Sequence, residues 1–319
     1  MASSYIDKST LAQVIGTTFD TSSVRPLRPN YIYDAVTREK EWDLNRSPIK
    51  GDTIQFAVLS AWSANTGALS PTAVTIAGQE TLTHTRRTVS LTPYGRHTTL
   101  DMFESNAETF INEVSDAVFN LTDQAMNSLN KLARNAIDLN KYSNETSGTL
   151  SGTYHAYGSY GAGASTVGPL NAKDVRRVVS ELRGDNVQAF PDGFYYGIIS
   201  PTQYTQLRAD SDNSAWSKSA ENVESGVSLI RRGSVGEFEG VKFFVDNEVA
   251  GNGTSTISAY FMGREHVGKA IGKDIRVASK STLDGSHENI MTLFWDFLGG
   301  YKIIRREAGR IVECSSTKQ

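Results

Sequence analysis

The residues with chemical potential are five histidines, one cysteine and several arginine pairs. Their spacing gives them no evident reaction to perform. His84, His97, His155, His266 and His287 contain no i, i+4 pair and no His-Glu-x-x-His, and no Cys-x-x-Cys accompanies them, so a zinc site lacks its ligand set. His84 and His97 are expected to be exposed. Cys314 is the single cysteine; it cannot form an internal disulfide and fits a reducing compartment. No nucleophile elbow offers a serine to a histidine. Gly161-x-Gly163 with Gly168 follows no strand and carries no Gly-Lys-Ser/Thr, so it is a poor phosphate loop. Asp210, Asp212, Glu221 and Glu224 lie in polar loop sequence and are expected to be solvated. The pairs Arg86-Arg87, Arg231-Arg232 and Arg305-Arg306 could meet carboxylates or phosphates, but strand alternation sends the members of a pair to opposite faces. Together these features argue against an enzyme, and they call for no cofactor and no metal.

The bulk numbers allow a large folded core. The chain has 319 residues, 39% of them hydrophobic and 21% charged, which is ordinary for a globular protein. A formal charge of −3 argues against a surface made to grip nucleic acid, though not against enclosing it. No apolar h-region opens the sequence, and no run approaches 18 apolar residues, which argues against secretion and membrane spanning.

The elements that would position any site are organised around one stretch, 105–141. Phe110, Val114, Ala117/Val118, Leu121, Ala125, Leu129, Leu132, Ala136 and Ile137 recur at steps of three and four, the stripe of a helix. Ser105-x-x-Glu108 reads as a capping box. Glu108 and Glu113 stand near its start, with Lys131 and Arg134 toward its negative end. With no Pro or Gly inside, the rod would be about 50 Å long and needs a surface to lie on.

Ahead of it, residues 1–49 are polar, with Arg25-Pro26-Leu27-Arg28-Pro29 favouring an extended path; an arm across another molecule and plain disorder both fit. Strand-type residues follow at Thr53–Leu59, Thr72–Ile76 and Thr81–Leu91. Neither face of the middle of the last is apolar enough to wall a core, and a two-stranded ribbon is marginal alone. It should lie on another molecule, be flexible, or form an ordinary sheet edge.

After the helix, 142–168 holds six glycines and reads as loop. Asn171 then caps a helix with Val175, Val178, Val179 and Leu182 inward, closed by Gly184. Phe194–Ile199 reads as a buried strand, and Ser200-Pro201 opens another helix. Strands are expected within Gly236–Val245, Thr256–Met262, Asp274–Ala278, Ile290–Phe297, Tyr301–Glu307 and Arg310–Glu313. Strands and helices do not alternate regularly, so the class is α+β.

This order of arm, polar ribbon, long helix, glycine-rich loop, mixed block and returning strands resembles the major capsid proteins of tailed bacteriophages, which share the HK97 fold. KGDTIQF and VSLTPYGRHTTLD look like the ends of that family's E-loop. The 105–141 stretch looks like its spine helix. ISPTQYTQLRAD, GSVGEFEGVKFFVDN and AYFMGREHVGKAIG look like elements of its A-domain. The group related to the podovirus N4 capsid protein resembles it most, over about Lys50 to Glu313.

The resemblance implies an HK97-like α+β fold with an arm at 1–49 and an E-loop ribbon at 50–101. A P-domain at 102–170 and 286–319 would hold the spine helix, and an A-domain would occupy 171–285. It implies a virion shell protein, assembled in the host cytoplasm, whose copies form the pentamers and hexamers of an icosahedral head around double-stranded DNA. The ribbon would lie over a neighbouring subunit, and Arg86, Arg87, Tyr94 and Arg96 on it, with Arg25 and Arg28 on the arm, are the candidate inter-subunit contacts. Implied partners are a scaffolding protein, a portal protein at one vertex and a decoration or cement protein. Some members cross-link through an E-loop lysine, but 51–101 contains no lysine, so no isopeptide bonds are expected. Only about 49 residues precede the ribbon, which favours a separate scaffolding protein over a cleaved internal one. Two other readings stay open: an encapsulin holding an enzyme cargo, and an enzyme or ligand-binding protein built on 171–285.

Overall fold

A computed structural model describes residues 31–42, 51–62, 81–101, 113–138, 154–156, 168–209, 236–251, 256–283, 289–316. The expected capping box at Ser105 and Glu108, the strand at Thr72–Ile76, the 142–153 and 157–167 stretches of the glycine-rich loop, and the acidic stretch 210–224 lie outside them.

Three α-helices, a short 3-10 helix (Asp34–Val36) and twelve strands are described. The α-helices are α1 (Glu113–Asp138), α2 (Ala172–Gly184) and α3 (Pro201–Ala209). The strands are β1 (Arg38–Glu41), β2 (Thr53–Leu59), β3 (His84–Ser90), β4 (Thr92–Asp101), β5 (Tyr154–Ala156), β6 (Tyr195–Ile199), β7 (Glu237–Phe238), β8 (Val241–Val245), β9 (Thr256–Met262), β10 (Val267–Leu283), β11 (Asn289–Ile303) and β12 (Gly309–Ser315). They form a six-stranded sheet ordered β5-β12-β9-β6-β8-β7, a four-stranded sheet ordered β1-β10-β11-β4, and the ribbon β2-β3.

The chain divides into two compact units. The larger takes in Pro29–Tyr94, Ala125–Ile275 and Phe297–Gln319. At its centre is the six-stranded sheet, whose strands bury both faces. Tyr195, Ile199, Val241, Phe243, Ala259, Phe261, Val312 and Cys314 pack under α2 and α3 with Val175, Val178, Val179, Leu182 and Leu207. On the other face Ile198, Ile257, Tyr260, Met262 and Ile311 meet Ala133, Ala136 and Ile137 of α1 and Tyr33. The near-continuous apolar run of β9, buried at six of its seven positions, reflects this two-sided burial.

Local signals close these elements. Asn171 and Asp174 exchange side-chain and backbone bonds in a capping box, and Ser200 and Gln203 do the same at α3, at 3.1 and 2.9 Å. The turn after α2 differs from expectation: the left-handed residue is Asn186 (φ 54°), not Gly184. The β7–β8 hairpin turns on Glu239 and Gly240, both with positive φ (52° and 80°), the geometry of a two-residue primed turn that glycine eases.

The expected strand Ile290–Phe297 and the first three residues of the expected Tyr301–Glu307 form one strand, β11, and residues 304–307 lie beyond its end. Its Gly299-Gly300 pair, which lies between the two expected strands, permits close approach of neighbouring backbone. A Cβ on Gly299 would stand 2.5 Å from the Ala270 carbonyl oxygen, and one on Gly300 would collide with the Ser90 carbonyl oxygen. β12 lies in the six-stranded sheet beside β9, β10 lies in the four-stranded sheet beside β11, and β4 pairs there and not in the ribbon.

In the smaller unit, which includes Gly95–Gln124 and Arg276–Asp296, Leu121, Leu293 and Trp295 are buried. The Trp295 indole N–H donates to Gln124 Oε1 at 3.2 Å, and Arg276 pairs with Asp296 at 2.6 Å while lying over Phe294.

The helix α1 carries most of its expected stripe: Leu121, Ala125, Leu129, Ala136 and Ile137 are buried, together with Asn130 and Ala133. Val118 is an exception and stands exposed. Lys131 and Arg134 do not sit in the last turn. Both pair with Glu248, at 3.2 and 3.8 Å, and Arg134 also donates to its backbone oxygen. They fasten the helix to the loop after β8 and leave the dipole alone.

His266, between β9 and β10, is fully enclosed. Its Nδ1 carries the proton donated to the Arg305 carbonyl at 2.8 Å, since a carbonyl only accepts. Burial first, then the nearby Arg310 and Arg306 guanidinium groups, push its pKa down to about 4 against the pull of that carbonyl and of Glu307. The unfolded imidazole titrates near 6.5, so the unfolded chain binds the extra proton between these values. The stability due to neutral His266 is therefore complete above about pH 6.5 and lost as pH falls toward 4, by about 3 kcal/mol. Urea midpoints of the wild type and His266→Gln between pH 7 and 4 should show a smaller acid loss in the variant; parallel curves would contradict this.

Candidate functional site

Two surfaces of the larger unit stand out: the ribbon, and a strap formed by residues 33–42. Neither is a conventional catalytic site. Among the described residues no group of three or more His, Cys, Asp and Glu is arranged to hold a metal, and no helix is long and apolar enough to cross a membrane.

The ribbon pairs Thr53 with Ser90 through Leu59 with His84 in antiparallel register. Period-two alternation gives it two faces. On one, Ile54, Phe56 and Val89 are buried and pack with Ala270 and Ile304, with Trp42, Val58 and Leu91 alongside. The expectation of a non-apolar middle holds for β3, whose residues 84–86 are exposed, but β2 supplies the apolar face that seats the ribbon's base. Lys40 adds a clamp, donating to the Gln55 carbonyl at 2.6 Å with its ammonium 5.7 Å from the Phe56 ring centre. The opposite face presents Gln55, Ala57 and Leu59 across from Thr88, Arg86 and His84. Beyond the strands the ladder continues through Ser60 N–H to the Thr83 carbonyl and the Trp62 indole N–H to the Thr81 carbonyl, at 3.1 and 3.2 Å.

The candidate contacts distribute unevenly. Arg86 is exposed and Arg87 half-buried, on opposite faces as strand geometry requires, with Arg87 across from Phe56. Tyr94 is half-buried and stacks on Phe297 at 6.5 Å between ring centres, so its own chain engages it. Arg96 is exposed on β4. Arg25 and Arg28 lie outside the described residues. His84 and His97 are exposed, as expected.

Sequence reasoning missed the strap. Lys269 on β10, its side chain only 7% exposed, pairs with Asp34 at 2.8 Å and Glu39 at 2.9 Å. Asp34 also accepts the Tyr301 hydroxyl at 2.6 Å. Burial pulls the Lys269 pKa down, but the hydrogen bonds its ammonium donates to Asp34 and Glu39 outweigh it and leave it raised. Burial and then Asp34 push the Tyr301 hydroxyl well up. The strap is further held by parallel pairing of β1 with β10, Glu39 beside Lys269. Tyr33 N–H donates to the buried Asn130 Oδ1 at 2.9 Å. The local signal was the alternating charge of Arg38-Glu39-Lys40-Glu41, which marks an edge strand.

The ribbon seated at its base, the long helix against a six-stranded sheet, and the long β10–β11 pair define an HK97-like α+β fold. No family model matches the sequence, and no curated protein sequence matches it. Solved structures do. The chain is similar to the capsid asymmetric unit of cyanophage Pam1, at 12% identity over 100% of both chains and a TM-score of 0.74. It is similar to the capsid of cyanophage P-SCSP1u, at 13% identity over 96% of this chain and 95% of that one, TM-score 0.67. The capsid of Ralstonia phage GP4 matches at 13% identity over 99% of each chain, also with a TM-score of 0.67. At these identities the likeness is one of fold.

Proposed function

We propose that this chain is the major capsid protein of a tailed phage, assembling through pentamers and hexamers into an icosahedral head around double-stranded DNA. The observation that carries this reading is end-to-end agreement of the fold with phage capsid subunits, extending to 100% of both chains for one of them. A partner fold sharing only a domain would leave the ribbon or the strap unmatched. The net charge of −3 suits a container that encloses nucleic acid without gripping it.

The protein acts geometrically and performs no catalysis: many modest, repeated contacts close a shell. The ribbon lies over a neighbouring copy, and Arg86 and Arg96, exposed in the single chain, are free to meet that neighbour. A scaffolding protein directs assembly, a portal occupies one vertex, and a decoration protein can cover the outside; assembly takes place in the host cytoplasm. Reversing the exposed Arg86 and Arg96 to Glu should cut particle yield several-fold while leaving the thermal melt of the subunit in place. Normal yields would remove these residues from the interface. Particles boiled in reductant should run as a single ~35 kDa band, because the ribbon has no lysine to cross-link; ladders would contradict that. Nuclease-protected DNA inside particles from infected cells tests the phage reading itself, and a co-purifying enzyme cargo with no DNA would replace it with an encapsulin.

A further inference from the structure

At the far end of the ribbon, Leu59, Trp62 and Leu82 stand 50%, 55% and 57% exposed. We propose that these three side chains are the apolar anchor by which one copy of the chain holds a second copy, with the ribbon's arginines secondary. The inference rests on the assembly reading above and names the chemistry of its contact.

Geometry places the anchor away from its own core. Phe56 is buried at the ribbon's base, and Trp62 lies six residues further on, about 20 Å along an extended chain. The indole N–H already donates to the Thr81 carbonyl, so what Trp62 leaves open is its apolar surface. Three large apolar groups held at that distance cost free energy in water unless something covers them. Trp is also the residue most enriched at interface hot spots.

The apolar area and charge at this end of the ribbon select the occupant. The three side chains offer on the order of 300 Å² of apolar surface, against about 800 Å² per partner in a stable pairwise interface. One such contact cannot hold a dimer, but the same contact repeated around a closed ring or shell can, because each further contact is made within the assembly. The ribbon's residues 53–62 and 81–90 contain Arg86 and Arg87 and no acid, a charge of +2; since the chain carries −3 in all, the remainder carries −5. A cationic, apolar-tipped ribbon is therefore complementary to the rest of another copy of the same chain.

The test compares the full-length wild type with the triple variant Leu59→Ser, Trp62→Ser, Leu82→Ser. Assembly is followed by sedimentation and electron microscopy, and folding by the circular-dichroism melt. The expected result is at least a tenfold loss of assembled material with an unchanged melt. Independently, Leu82→Cys carrying an environment-sensitive fluorophore should shift its emission to the blue when subunits assemble; Cys314 is buried and leaves the label specific. A triple variant that assembles like wild type, or a label unmoved by assembly, overturns the anchor while leaving the assembly reading intact. A variant that assembles normally but loses affinity for a short DNA duplex assigns the patch to nucleic acid and equally overturns it. A wild type that never associates overturns both.

Discussion

Lys269→Met should lower the stability of the subunit by about 3 kcal/mol, the low end of the cost of breaking a buried ion pair from one side. The side chain is nearly enclosed and holds two carboxylates that come from one short segment. Methionine fills similar space but leaves Asp34 with only the Tyr301 hydroxyl. Glu39 is 57% exposed and returns to water at little cost, so most of the loss resides in Asp34. The double variant Lys269→Met, Asp34→Asn should recover part of it, because the stranded charge is gone. Urea unfolding of the four proteins in this cycle measures the coupling; a single-variant loss below about 1 kcal/mol would show that the strap is held by the β1–β10 ladder alone. The raised Lys269 pKa sets the pH sense. Its contribution is fully present below the unfolded lysine value near 10.4 and is lost only as pH rises through the higher folded value.

Gly300→Ala should cost about 1–3 kcal/mol, the usual range for overpacking a close contact. The added methyl meets the Ser90 carbonyl oxygen and has the Val89 side chain beside it at 3.2 Å. Because the obstacle is backbone, no rotamer change relieves it, and either β11 or the ribbon's base must shift. The ribbon is the weaker party, being two strands held by one small cluster. Hydrogen exchange in residues 84–90 should therefore quicken more than in β9 or β12. Unchanged exchange with unchanged stability would mean that the ribbon's seat is elsewhere.

The parts of the fold that were legible share one property: the sequence carries the constraint locally. Asn171 and Ser200 announce their helices because a cap needs a short polar side chain at that position. The strand Thr256–Met262 agrees with β9 residue for residue, since a strand buried on both faces is a bare apolar run. What was not legible depends on distant partners. Gly299-Gly300 reads as a break between two strands until the Ala270 and Ser90 carbonyls are in place to forbid a Cβ. Lys269 is an ordinary polar residue in a strand until a segment some 230 residues earlier brings Asp34 and Glu39 to it. The arginines drew attention to the ribbon for their charge. Leu59, Trp62 and Leu82 gave no such signal, because an apolar residue on an alternating strand is expected to face inward, and only coordinates show that these do not.

The central claim, that this chain builds a shell, is tested most directly by electron microscopy of the full-length protein expressed in bacteria, with light scattering on the same sample. Shells, tubes, open sheets or rings of five and six subunits are the expected result. A compact ~35 kDa monomer at every concentration, with a ribbon that resists protease and no assembly on addition of lysate from infected cells, would contradict it.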